Sequence, residues 1–333
     1  MPECEDDIET LHKVIFLRTR YPLAKKINQS GFSDWKPSQL GDLSGKTFAI
    51  TGSNSGIGFE AARMLGERGA KVIMACRSID KGKTARDKLK ETCIGDVDLV
   101  QVDLSDLSSV RKGADEIRAR TNLIDGLVNN AGIMMTPQKK TVDGFDLQMG
   151  ANHLGHFLLS GLLLDRVEAA HGRIVVVSSI AHKGGALNLD DLMSDQKYSP
   201  TRAYAQSKLA NLMFAFELDR RLQAAGSKAI CIACHPGYTD TNLQSTGPTG
   251  LLKIFWSSMN KIAAQGLEAG ATPTVLAAAG KEARPGAFYG PGRMGETRGP
   301  ISDASVADYA FDREKQTRLW EESEKLVGFE WGI

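Results

Sequence analysis

The sequence predicts an α/β protein: a doubly wound parallel sheet in a single domain with an amino-terminal extension. Three observations predict it. From about Lys46, short β-branched runs alternate with longer segments of helical spacing, as strands joined by crossover helices require. Several of these runs are apolar without alternation, which suits strands covered by helices on both faces. The 333 residues, 42% hydrophobic and 24% charged, are enough to bury such a core.

Taken in order, residues 1–43 form the extension, and its stretch "LHKVIFLRTRYPLAKKI" is both basic and apolar. Such a composition suits a membrane surface or a partner, but packing on its own domain is the preferred reading. The domain proper spans 44–310. "KTFAIT", "KVIMAC", "VDLVQV", "LIDGLVNN", "RIVVVSS" and "KAICIAC" read as strands, and "IGFEAARMLGERG", "IDKGKTARDKLKET" and "LSSVRKGADEIRART" as helices between them. A segment at about 243–264 carries Leu251, Ile254, Phe255, Trp256 and Met259 and reads as a substrate lid. Residues 311–333 close the chain with an amphipathic helix anchored by Phe311, Leu319, Trp320 and Val327.

Bulk properties remove several function classes. The formal charge of +1 is spread over both signs, so no clustered basic face offers itself to nucleic acid. Five scattered cysteines fit a reducing, cytoplasmic setting, and the acidic start "MPECEDDIET" does not read as a secretory signal. Apolar stretches such as "FLLSGLLL" fall far short of the roughly twenty residues that span a bilayer. "CIACH", Cys231 to His235, has the spacing of covalent haem attachment, yet it also reads as a strand holding two buried free thiols, the preferred reading. No metal site is read: one C-x-x-C lacks a second ligand pair, and His153 and His156 read as packing residues.

"TGSNSGIG", Thr51 to Gly58, joins the first strand to the first helix. Gly52, Gly56 and Gly58, with Ser53, Asn54, Ser55 and Ile57 between them, let the backbone approach a pyrophosphate at the helix start. The second strand ends in Arg77, where an acidic residue would select NAD; a guanidinium pairs with the 2′-phosphate of NADP(H). Asp103, followed by Leu104, ends the third strand, placed to accept from an adenine amino group or to cap a helix. "YAQSK" sets Tyr204 and Lys208 four apart on one helical face, where an ammonium lowers a phenol's pKa. Ser178 and Ser179 end a strand upstream, where a hydroxyl can polarise a carbonyl.

These residues resemble the short-chain dehydrogenase/reductase family over about Leu43 to Pro300. "TGSNSGIG", "NNAG", the asparagine of "ANHLGHF", the serine of "VVVSS", "YAQSK" and "HPGYTDT" occur in the family's order. "MACRSIDKGK", "DGFDLQMGANHLGHFLL" and "YAQSKLANLMFAFELDRRL" are similar to the retinol dehydrogenase branch, with protochlorophyllide reductase a neighbour. The resemblance implies a Rossmann-type domain with Tyr204 as general acid or base and Lys208 holding the nicotinamide ribose. It makes Ser179 the carbonyl-polarising serine and Asn152 the support of a water on the proton path. Asn130, Ala131 and Gly132 would lie along the cofactor, with Pro236, Gly237, Thr239 and Thr241 facing the nicotinamide amide and phosphates. It also implies a homodimer or homotetramer paired through the helices of Asn152 and Tyr204.

The reading that follows is NADP(H)-dependent hydride transfer to a mainly apolar ketone or aldehyde. Two alternatives accompany it: a binding module that senses NADPH without turnover, and an enzyme of the protochlorophyllide reductase kind.

Overall fold

Among the described residues eight strands form one sheet, and seven of them run parallel. This computed structural model describes residues 25–26, 30–239 and 266–333. In chain order the first half contains β1 (Lys25–Lys26), β2 (Thr47–Thr51), α1 (Gly56–Gly66), β3 (Lys71–Cys76), α2 (Ile79–Lys90), β4 (Val97–Gln101), α3 (Leu107–Arg120) and β5 (Gly126–Asn129). Next comes α4, built from Leu147–Met149, a π-type stretch Gly150–Leu154 and Gly155–Ala169. Then follow β6 (Arg173–Val177), α5 (Pro200–Ala224), β7 (Ile230–Cys234), α6 (Leu267–Ala279), β8 (Phe288–Arg293), β9 (Arg298–Asp303), β10 (Ser305–Val306) and α7 (Arg313–Val327).

Across the sheet the order is β4-β3-β2-β5-β6-β7-β8-β9, so growth reverses between β2 and β5. In open α/β sheets the crevice at that reversal, outside the carboxyl ends of the strands, is where ligands bind. Two apolar clusters lie on the two faces. One joins Phe157, Leu212, Phe214 and Trp320 from α4, α5 and α7; the other joins Ile50, Leu65, Val275 and Leu276 under α1 and α6.

All six runs read as strands are strands, each shorter at its ends by at most a few residues. The pair β8 and β9 was not among them. Their "FYGPGR" and "RGPISD" hold glycine and proline, which mask a strand pattern; β9 is the antiparallel edge, where proline is tolerated, and the register shifts between Pro291 and Arg293. Cys231 and Cys234 are three apart in β7, so their side chains leave opposite faces of the sheet. They belong to different clusters and cannot converge on one haem.

Trp35, Leu40 and Leu43 are buried in the α1/α6 cluster, and the Trp35 indole donates to Glu282 at 2.9 Å. The last part of the extension is thus laid on the domain. At the other end α7 is capped by Asp312 and closed by Gly328 at φ 58. Leu319, Trp320 and Val327 anchor it, as expected, but Phe311 precedes the helix, is 39% exposed and stacks on Phe216. Trp331, beyond the helix, joins the core instead. Among the described residues no helix is long and apolar enough to cross a membrane. The proposed lid, Thr241 and most of the basic-apolar stretch lie outside the described residues.

Candidate active site

A cavity of about 910 Å³ opens at the carboxyl ends of β2 through β6. Its floor is the turn after β2. Gly52 has φ +66, and a Cβ there would stand 2.9 Å from Ala131. At Gly58 a Cβ would overlap the Asn130 side-chain amide and the Gly52 carbonyl, so this turn packs as bare backbone against Asn130 and Ala131. Ser55 precedes α1 without a side-chain cap, which leaves first-turn N–H groups for an anion.

Asn54, Ser55, Gly56, Ile57, Arg77, Asp103, Leu104, Asn130, Ala131, Gly132, Tyr204, Lys208 and Pro236 line this space together with Gly52 and Gly58. The structure therefore brings most of the singled-out residues into one cavity. Ser53 differs. Its side chain is buried, and its hydroxyl donates inward to the Ile50 carbonyl at 2.9 Å, so it does not reach the cavity. Asp103 accepts from the Ser105 amide and hydroxyl at 2.9 and 2.6 Å, and the capping role on α3 falls to Asp106. Gly237 and Thr239 stand beyond the lining, on the turn that follows β7; Gly237 has φ +71.

Sequence reasoning missed Lys81 and Lys88. Both line the cavity beside the exposed Arg77, so one end holds three cations. Their spacing of seven along α2 puts them on one helical face, a signal that could have found them.

At the other end stand Tyr204 and Lys208, one turn apart on α5. Burial pushes the Tyr204 phenol up to about 12, against a hydrogen bond with Ser179 that lowers it. The expected depression by Lys208 is not seen: its Nζ lies 5.9 Å from the ring centre and donates to the Val177 carbonyl at 3.1 Å. Burial in turn pulls Lys208 down to about 8. Ser179 caps the short helix after β6, accepting from the Ala181 amide at 3.1 Å, while Ser178 lines the cavity and donates to the Lys208 carbonyl.

Asn152 is buried on the π-type stretch of α4. Its side chain accepts from the Ile133 amide at 2.8 Å and donates to the Ile133 carbonyl at 3.0 Å and to Ser207 Oγ at 2.9 Å. It thus braces the 130–133 turn against α5. His153 packs on Phe157 and Phe214 and contacts Ser323 Oγ at 3.0 Å. No group of three metal-ligating side chains occurs among the described residues.

A doubly wound sheet with a glycine turn at its reversal point, a cationic end and a buried tyrosine–lysine end defines a dinucleotide-dependent oxidoreductase site. The short chain dehydrogenase family model matches residues 46–249, and the chain belongs to that family. It falls in the retinol dehydrogenase-like branch. Human retinol dehydrogenase 12 is 39% identical over 295 residues, covering 87% of this chain and 88% of its own. Human retinol dehydrogenase 13 is 40% identical over 300 residues, 86% of each chain. A solved structure from Mycobacterium paratuberculosis is 41% identical with a TM-score of 0.76, covering 90% of this chain and all (100%) of its own. Another, from Beutenbergia cavernae with bound NADP, is 25% identical with a TM-score of 0.58, covering 74% and 95%.

Proposed function

We propose that the chain is an NADP(H)-dependent oxidoreductase that reduces the carbonyl of a mainly apolar ketone or aldehyde, reversibly. The observation that carries this reading is one cavity with Arg77, Lys81 and Lys88 at one end and Ser178, Lys208 and Tyr204, the last hydrogen-bonded to Ser179, at the other. The fit to a dinucleotide rests on the cradle at Gly52 and Gly58, which any Cβ would fill.

In this reading the turn from Gly52 to Gly58 and the first amides of α1 hold the diphosphate, and Arg77 with Lys81 holds the 2′-phosphate. Asp103 and Leu104 flank the adenine; Asn130, Ala131 and Gly132 run along the rest, with Pro236, Gly237, Thr239 and Thr241 beyond. When bound, NADPH supplies the hydride. Tyr204 donates a proton to the carbonyl oxygen. A phenol near 12 stays protonated at neutral pH, which suits a donor for reduction. Ser179 holds both the phenol and the carbonyl oxygen. Lys208 holds the ribose hydroxyls, and Asn152 keeps the adjoining turn in place on the proton path.

Tyr204→Phe should abolish NADPH-dependent reduction while NADPH still binds; undiminished turnover sinks the assignment. Tight NADPH binding with no turnover across a broad carbonyl panel would support the sensing module instead.

A further inference from the structure

His156 is buried on α4, one turn beyond Asn152. Its Nδ1 lies 3.0 Å from the Asn152 backbone oxygen and its Nε2 2.8 Å from Thr51 Oγ1. A carbonyl oxygen only accepts, so Nδ1 carries the proton. Burial, with the charge of Lys208 adding to it, pulls the ring down to about 3, so it is neutral and Nε2 is bare. The Thr51 hydroxyl must therefore donate to Nε2. That fixes the rotor, and its lone pairs accept the Asn130 and Ala131 amides, both at 2.9 Å.

The other side of the loop is closed by the Asn152 side chain, which pairs with both backbone groups of Ile133. The bonds form a ring: Asn152 to His156, His156 to Thr51, Thr51 to Asn130 and Ala131, then through Gly132 and Ile133 back to Asn152. Gly132 sits where the ring passes the catalytic lysine, with a Cβ position 3.4 Å from Lys208 Nζ. Without an acceptor at Nε2, the Thr51 hydroxyl has only the Val128 carbonyl, at 3.3 Å. Turning there takes its lone pairs off the two amides.

We propose that His156 is a positioning residue: fixed in the Nδ1–H form, it closes this ring and holds the 130–133 turn against Lys208 at the cofactor face. The effect on dinucleotide binding rests on the function proposed above. The tautomer and the order of the turn do not.

Three variants of the full chain separate the bonds. His156→Asn keeps a donor near Nδ1 and loses Thr51; His156→Gln keeps an acceptor near Nε2; His156→Phe loses both. Nitrogen NMR of the unsubstituted chain should show a protonated Nδ1 and bare Nε2 with no titration between about pH 5 and 8. Amide exchange at Asn130 and Ala131 should quicken about two- to tenfold in the Asn and Phe variants and stay near the original in Gln. NADPH affinity should weaken by a similar factor in the same two. The opposite tautomer overturns the proposal, as does equal quickening in all three variants that matches their overall loss of stability. If the unsubstituted chain binds no NADPH, the function above fails, and the ring then stands or falls on tautomer and exchange alone.

Discussion

The Lys183 ammonium donates to a Glu296 carboxylate oxygen at 2.7 Å, tying the short helix after Ser179 to the β8–β9 turn 113 residues away. Glu296 stands in the left-handed region at φ 66. Its other oxygen accepts from the Ser305 amide at 2.8 Å and hydroxyl at 2.5 Å. Burial alone would raise this carboxyl; contact with His235 and the charge of Lys183 hold it well below the carboxylate range. Since burial also keeps His235 neutral at pH 7, the charge that matters is that of Lys183.

Glu296→Ala is accordingly expected to cost about 2–3 kcal/mol, somewhat below the roughly 3–5 of a fully buried pair because Lys183 keeps some access to water. A carboxyl depressed in the folded state contributes stability above its unfolded pKa of about 4.3 and loses it as pH falls toward the folded value. The gap between the original chain and Glu296→Ala in urea midpoints should hold from about pH 7 to 5.5 and narrow below about pH 4. A gap that widens in acid would show that the carboxylate is not ionised in the folded chain.

At Lys208 the charge is destabilising rather than stabilising, although stability again rises with pH. Its folded pKa, near 8, lies below the usual 10.5 because burial penalises the ammonium. Between those values the unfolded chain binds more protons, so stability rises with pH through that window. Lys208→Met removes the buried charge. It should be at least as stable as the original at pH 7, lose the rise between about pH 8 and 10, and lose reductase turnover. Melting curves across that range, paired with activity at pH 7, check both halves.

Cofactor choice is tested at the cationic end. Removing Arg77 and Lys81 together, by Arg77→Ala and Lys81→Ala, should weaken NADPH about 10- to 100-fold, the worth of charge-assisted bonds to a phosphate. NADH, which lacks that phosphate, should change little. Equal losses for both dinucleotides in a fluorescence titration would mean that these side chains hold something other than the 2′-phosphate.

Parts of this architecture were open to reading in the sequence and parts were not, for physical reasons. Six of the seven parallel strands in the described residues are legible because burial on both faces favours apolar runs such as "RIVVV"; β8, broken by glycine and proline, is not. Tyr204 and Lys208 are legible because helical periodicity alone puts them on one face. Glu296 and His156 are not. Each is a single polar residue whose meaning comes from partners more than a hundred positions away, Lys183 and Thr51, and no local pattern encodes that distance. The burial that raises the Tyr204 phenol is a tertiary effect of the same kind.

The carboxyl-terminal helix bears on assembly. Trp320 lies 5.1 Å from Phe157 of α4 and 5.9 Å from Phe214 of α5, ring centre to ring centre, and the Arg221 guanidinium covers its ring at 4.5 Å. A Cβ on Gly161 of α4 would stand 2.5 Å from Phe329, so the chain end is seated directly on that helix. If pairing through α4 and α5, which the family resemblance implies, used those same faces, α7 and the chain end would block it. The chain should therefore not pair through them, and if no other face associates it should sediment as a monomer across a range of concentrations. Trp320→Ala should cost about 3–5 kcal/mol as a large core truncation and bare aromatic surface, giving concentration-dependent association. A dimer of the unsubstituted chain with exchange protection on the outer faces of α4 and α5 would mean that α7 moves aside, and would refute this reading.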